Sequence, residues 1–310
     1  MNARLRAGVV GVGYLGAFHA EKYASLPDVD LIAVVDIDGE RAQAVAGRCR
    51  TAAADDYHVL FEHVDCVSLA VPTQLHFALA NDFLAHGIDV LVEKPMTATV
   101  ADGRALVEAA ERYGRILQVG HLERFNPAIR ALAGVVTRPR FIECHRLAPF
   151  VERGTDVDVI LDLMIHDLDV ILSLVGAEVQ NVEAVGVPVL SETTDIANAR
   201  LRFRNGCIAN ITASRVALKR ERKIRLFQAD TYVSVDYGEK HVRICRRVAA
   251  ESGPAIEVEE HALGEGDALF DEVEHFIQAV RTRQPPLVDG RTALRALEVA
   301  DLIRLCLETA

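Results

Sequence analysis

Two short stretches carry residue types suited to acid-base chemistry on a hydroxyl group. In the first, Val90-Leu91-Val92-Glu93-Lys94-Pro95, three apolar residues run into a carboxylate, an amine and a proline. An apolar run of that length just after Gly87 predicts a buried parallel strand. Ligands bind off the carboxyl ends of strands in a doubly wound sheet, so Lys94 emerges where a ligand would lie. Pro95 ends the strand and restricts the residue before it. A lysine held there can donate to a substrate hydroxyl and lower the energy of an alkoxide forming on it. The competing reading is a solvated lysine on an ordinary β-α turn. The second stretch is Asp162-Leu163-Met164-Ile165-His166-Asp167-Leu168-Asp169. On a helix, Asp162 and His166 lie about 40° apart on one face. A carboxylate beside an imidazole orients the ring and raises its affinity for a proton, as a general base requires. The alternatives are an acid at a helix start with a surface histidine, or a satisfied core histidine. Asp167 and Asp169 are expected to be solvated or capping. No third ligand stands at a metal-binding spacing, so no metal is expected.

The first half of the chain supplies elements that would position Lys94. Leu5 to Val10 is a short apolar strand, followed by Gly11-Val12-Gly13-Tyr14-Leu15-Gly16 and a helix to about Ala24. A G-x-G-x-x-G between strand and helix lets backbone N–H groups and a helix N-terminus meet a pyrophosphate. Gly11, Gly13, Tyr14, Leu15 and Gly16 are therefore candidate cofactor residues. The next strand, Leu31 to Val35, ends at Asp36, where an acid can accept hydrogen bonds from both ribose hydroxyls of adenosine. That carboxylate would repel a 2′-phosphate, and Asp38 and Glu40 add more acid. Arg41 is expected to face outward, so the cofactor is expected to be NAD rather than NADP. The competing reading is a glycine turn without ligand and a helix-capping aspartate. Alternation continues through a strand over Val64 to Val71, a helix over His76 to Ala85 with Thr73 as a candidate cap, and the Glu93-Lys94-Pro95 strand. A helix over Val100 to Tyr113, stopped by Gly114, and a strand over Arg115 to Val119 complete it. This β-α grammar predicts an α/β unit with a mostly parallel sheet, closing near residue 121.

The second half changes grammar. Leu122 to Ala133 is expected to be a linking helix. Strands are predicted over Phe141 to Arg146, Val182 to Val189, Ile196 to Phe203, Cys207 to Arg215, Lys223 to Gln228, Tyr232 to Val235 and His241 to Cys245. Asn205-Gly206 marks a hairpin. Helices are expected over Val159 to Val175, Ala268 to Arg281 and Thr292 to Glu308. The fold class is thus α/β: residues 1–121 with a parallel sheet, and residues 122–310 as an α+β unit with an open, mostly antiparallel sheet. The C-terminal helix is free to pack back on the first unit. A partner subunit is the expected cover for the sheet's exposed face.

The whole chain narrows the classes. Its 310 residues carry a net charge of −11, which argues against nucleic acid or an anionic membrane as the main partner. Six scattered cysteines show neither disulfide nor zinc spacing and suit reduced thiols in a cytoplasmic protein. The basic start is followed by too short an apolar run, broken by Gly8, Gly11 and Gly13, to be a signal peptide. No segment approaches a membrane span.

Together these residues resemble the glucose-fructose oxidoreductase / inositol dehydrogenase / rhizopine-catabolism (Gfo/Idh/MocA) family of NAD(P)-dependent sugar dehydrogenases. The resemblance covers nearly the whole chain. It rests on Gly11 to Gly16, on Val71-Pro72-Thr73 with His76, on Glu93-Lys94-Pro95, and on Asp162 to His166. It implies a Rossmann domain followed by an open-sheet domain, and a homodimer or homotetramer formed through that sheet. It implies cofactor-binding positions at Pro72, Thr73, His76, Glu93 and Lys94, with Lys94 touching substrate and nicotinamide. It also implies His166 as acid/base, Asp162 as its assistant, and a cis Lys94–Pro95 peptide. A finer resemblance joins Gly120 to Pro127, Glu143 to Arg146 and Asp156 to Asp169 to a subgroup that oxidises the 3-hydroxyl of UDP-N-acetylglucosamine. It makes His121, Arg124, Asn126 and Arg146 candidate substrate residues, with Arg124, Arg146 and Arg153 available to a diphosphate. The alternative for these is ordinary surface arginines. The expected activity is NAD-dependent oxidation of a secondary alcohol of a sugar or nucleotide sugar. The rivals are a non-catalytic NAD- or sugar-binding sensor, and a reductase of a non-sugar carbonyl.

Overall fold

The computed structural model describes residues 3–151, 157–250, 253–264 and 266–308; Arg153 lies outside them. The chain divides into two compact units. One comprises residues 1–125 and 267–295, the other residues 126–266 and 296–310.

The first unit is built from β1 (Leu5–Val10), α1 (Tyr14–Ser25), β2 (Val29–Val35), α2 (Gly39–Cys49), β3 (Ala52–Ala54), β4 (Cys66–Leu69), α3 (Thr73–Ala85), β5 (Asp89–Glu93), α4 (Val100–Tyr113) and β6 (Leu117–Gly120). All six strands pair in parallel in the order β3-β2-β1-β4-β5-β6. The order reverses at β1 and β4, the switch point where α/β sheets bind ligands. The strands are apolar because helices cover both faces; Val9, Val34, Val67, Val90 and Val92 are fully buried. Local chemistry sets the helix ends. Thr99 Oγ1 accepts from the Asp102 N–H at 3.1 Å to start α4, and Gly114 stops it at φ +61°.

The second half continues with α5 (Pro127–Arg130), β7 (Phe141–Leu147), a π turn over Ile160–Met164, α6 (Ile165–Val175), β8 (Val179–Val187), β9 (Ile196–Phe203) and β10 (Ile208–Ser214). Then come β11 (Glu221–Gln228), β12 (Thr231–Asp236), β13 (His241–Ala250), β14 (Gly253–Ala262), α7 (Ala268–Thr282) and α8 (Gly290–Glu308). Eight strands lie in the order β14-β13-β12-β11-β7-β10-β9-β8, and every pair is antiparallel except β7 with β10. Period-two alternation buries Ala197, Ala199, Leu201 and Phe203 of β9 on one face. The opposite face is mixed: Arg225 is bonded to Glu143 at 2.7 Å and Asn198 to Thr212 at 2.8 Å, beside the clustered rings of Phe141, Phe227 and Tyr232.

The structure departs from the sequence expectations at several points, β3 among them as a strand the sequence does not announce. A single linking helix over 122–133 is instead a 3-10 turn at Leu122–Phe125 followed by α5. Asn126 caps α5 through Oδ1, and Pro127 takes its first position. An unforeseen strand, β14, extends the sheet edge. Its Gly-Pro start and glutamates hide the pattern, and its pairing with β13 includes Arg243–Glu260 at 2.7 Å. The chain also does not leave its first unit for good at residue 121. It returns at Asp267, because α7 presents Val273, Phe276, Ile277 and Val280 to the cluster of Ala20, Tyr23, Leu26 and Leu91. Complete burial of each large apolar side chain there is worth about 1.5–3 kcal/mol.

Candidate active site

The loop between β1 and α1 is shaped for close approach. A Cβ at Gly16 would stand 1.8 Å from the Gly11 carbonyl oxygen, and one at Gly11, whose φ is +80°, would meet Ala70 O at 2.6 Å. A Cβ at Gly13 would meet nothing within 4 Å, so this face is open. No side chain caps the start of α1. An uncapped helix N-terminus beside an open glycine is a natural anion site, and the loop fits the pyrophosphate of a dinucleotide. Tyr14 and Leu15 begin α1 with exposed side chains.

Asp36 stands just past β2, where the ribose reading needs it. Its carboxylate accepts from the Val12 N–H at 2.9 Å and the Asp38 N–H at 3.0 Å, tying the strand end to the glycine loop. Arg41 does not simply face outward. Its guanidinium lies 3.3 Å from Asp36 and 3.0 Å from Asp38. The reason is local: Asp38 caps α2, so the first-turn residue Arg41 folds back on both acids.

Lys94 follows β5, as the apolar run predicted, and the Lys94–Pro95 peptide is cis. Its surroundings are tied down. His76, on α3 and buried, places Nδ1 2.8 Å from Pro95 O and Nε2 2.9 Å from Val71 O. This imidazole links the loops after β4 and β5. Burial lowers its pKa more than the two carbonyls raise it. Thr73 does not cap α3. It is the first helical residue, with Pro72 before it. Glu93 points behind the strand end, where Oε1 lies 2.9 Å from His19 Nε2. His121 is buried at the end of β6, and Arg124 is half-buried on the 3-10 turn.

In the second unit, Asp162 falls within the π turn and His166 in the first turn of α6. A π turn inside a helical segment often marks a functional position. Both side chains are half-buried, whereas Leu161, Met164 and Ile165 around them are buried, so the pair shares the more open face. Asp158 starts the turn by accepting from the Ile160 and Leu161 N–H groups at 3.0 Å each, and Arg304 of α8 holds Asp158 at 2.7 Å. Asp167 and Asp169 are both buried, contrary to the expectation of a solvated pair. Asp167 receives Nε and Nη2 of Arg146 at 2.8 Å each. Both partners are at most 4% exposed, so each charge is compensated by the other. Arg146 thereby commits two donors to the fold. The signal was present in the alternation of β7, which puts Arg146 on the inner face with Ile142 and Cys144.

Sequence reasoning missed His19 and Glu272. Each is an ionisable residue on an otherwise apolar helical face, and nothing local announces a partner.

The family model described as the oxidoreductase family with an NAD-binding Rossmann fold matches residues 5–121. The GFO/IDH/MocA C-terminal domain matches residues 128–233. A UDP-N-acetylglucosamine 3-dehydrogenase from Acidithiobacillus ferrooxidans is 41% identical over 98% of this chain and 97% of its own. The solved structure of that enzyme superposes with a TM-score of 0.93 over 99% of both chains at 39% identity. A scyllo-inositol 2-dehydrogenase (NAD(+)) from Bacillus subtilis is 28% identical over 96% of this chain and 93% of its own. With residues 5–121 and 128–233 matched in order by one family's domains, and with a relative 41% identical over nearly the whole of both chains, the chain belongs to the GFO/IDH/MocA family of NAD-binding Rossmann-fold oxidoreductases.

Proposed function

We propose that the protein is an NAD-dependent dehydrogenase of a nucleotide sugar, oxidising the 3-hydroxyl of UDP-N-acetylglucosamine. The observation that carries this reading is the full-length similarity to an enzyme of that name, at 41% identity. The residues supply the parts. His166 takes the hydroxyl proton, and Asp162 orients its imidazole. Lys94 donates to the substrate oxygen as negative charge gathers there. The glycine loop holds the pyrophosphate, and Asp36 the adenosine ribose. NAD, when bound, accepts the hydride from the carbinol carbon. Arg124 and Arg153 are the arginines assigned to the substrate diphosphate. The non-catalytic alternative gains no support, since Lys94, Asp162 and His166 are all present.

The test is direct. Purified protein is mixed with NAD and UDP-N-acetylglucosamine, NADH absorbance is followed, and the product mass is checked for the loss of two hydrogens. Turnover of inositol but not of the nucleotide sugar would refute the substrate assignment while leaving the oxidoreductase intact.

Asp36 carries the preference for NAD over NADP. Because the carboxylate also bonds the glycine loop, the informative quantity is the ratio of the two affinities. In Asp36→Asn the NAD-over-NADP ratio should fall by about ten- to a hundredfold, the range for losing a hydrogen bond to a charged group. Calorimetric titration with both nucleotides measures it. Equal affinities in the unsubstituted protein would mean that Asp36 does not read the ribose.

A further inference from the structure

Behind Lys94 lies a buried polar network that the proposed reaction does not use. Glu272, on α7, is completely buried, and among the described residues neither of its carboxylate oxygens meets a hydrogen-bond donor. Ligand atoms of Glu272, Glu93 and His19 all lie within 4.8 Å of one another. The other members form a chain. Tyr23 Oη lies 2.8 Å from Ser68 Oγ, Ser68 Oγ 3.2 Å from His19 Nδ1, and His19 Nε2 2.9 Å from Glu93 Oε1. The Lys94 N–H donates to Glu93 Oε2 at 3.3 Å. A neutral His19 completes this chain in one direction: Tyr23 donates to Ser68, Ser68 to Nδ1, and the Nε2–H to Glu93.

Glu272 stands outside this chain of hydrogen bonds. An ionised carboxylate away from water and without a donor is costly enough that it takes up a proton instead. The neutral acid brings the O–H that the site lacks, and the Glu93 carboxylate is the acceptor beside it. Gln118 donates its Nε2–H to the Glu272 backbone oxygen at 3.1 Å, not to its side chain.

We propose that Glu272 is a protonated acid at neutral pH, donating to Glu93 and forming with His19 a buried proton-holding site that positions the Glu93-Lys94 strand end from behind. The pair then carries one negative charge, opposite in sign to Lys94. Burial, then the Glu93 charge, pushes the Glu272 carboxyl well above the usual range. Burial alone would raise Glu93 too, but the hydrogen bond from His19 and the charge of Lys94 hold it below the usual carboxylate value. The titratable groups around the pair are His19 and Tyr23 of α1, His76 of α3, and Glu93 and Lys94 at the end of β5. This inference concerns the fold behind the site; only its positioning claim rests on the proposed role of Lys94.

The experiment uses the full chain with E272Q and E272L. Infrared spectra of the unsubstituted protein at neutral pH should show the carbonyl band of a buried neutral carboxylic acid, missing in E272Q. Stability gives a second reading. The folded state keeps a proton that the unfolded chain releases above about pH 4.3. The unsubstituted protein should therefore lose stability relative to E272Q as pH rises from there toward the folded pKa. The Tm gap between the two should widen over that range. E272L has no donor for Glu93. Its kcat should fall by about tenfold, the size of one lost charge-assisted hydrogen bond, with E272Q restoring it. An unchanged infrared band, a pH-independent Tm gap or stoichiometric metal in the purified protein would each overturn the shared proton. Equal kcat in E272L would overturn the positioning role. Should E272L not fold, E272Q still decides where the proton sits. Should no substrate turn over, the spectra and melting still decide it, so that failure falls on the proposed function alone.

Discussion

Alanine at position 166 should lower turnover by about two to four decades, the span for a lost general acid or base, while NAD affinity stays nearly unchanged. The asymmetry follows from placement. His166 lies in the first turn of α6 in the second unit. The pyrophosphate loop and Asp36 belong to the first unit, so nothing assigned to the cofactor is removed. The imidazole accepts a proton only when neutral, so oxidation by the unsubstituted protein should rise with pH across its titration. That limb should flatten in the alanine variant. Turnover with UDP-N-acetylglucosamine across a pH series, beside calorimetry with NAD, measures both. Near-normal turnover with weakened NAD binding would remove His166 from the chemistry. Asp162→Asn should give a smaller loss, because in the proposed mechanism the carboxylate orients the ring and does not itself accept the substrate proton.

Replacing Lys94 with methionine should lower kcat by about two to three decades, comparable to deleting a preorganised donor from a site of developing charge. Methionine keeps much of the length and loses the ammonium, so packing at the strand end changes little. The effect should fall on kcat more than on substrate KM, because the contact strengthens as the alkoxide forms. Arginine should not rescue it: a planar guanidinium needs more room than a point-like ammonium. The backbone on either side of Lys94 is tied down, with His76 against the Pro95 carbonyl and Glu93 bonded to His19. A Lys94→Met variant with unchanged kcat would turn the lysine into a surface residue of a β-α turn.

The parts legible in the sequence are those determined by near neighbours. A glycine run between an apolar strand and a helix specifies a tight strand-to-helix turn, because Gly11 and Gly16 stand where no Cβ fits. Three apolar residues before Glu93-Lys94-Pro95 specify a buried strand with a lysine past its end. Asn205-Gly206 specifies the turn joining β9 to β10, where Gly206 takes φ +86°. The four-residue spacing of Asp162 and His166 was legible too, although the π turn under Asp162 was not. What only the tertiary structure decided is which charges are buried and against what. Arg146 and Asp167 are 21 positions apart, and Glu272 lies far along the chain from Glu93. An isolated charged residue has the same local sequence whether water or a distant partner satisfies it. Burying it is favourable only when the whole chain packs the partner alongside, and that choice is made among elements, not within them.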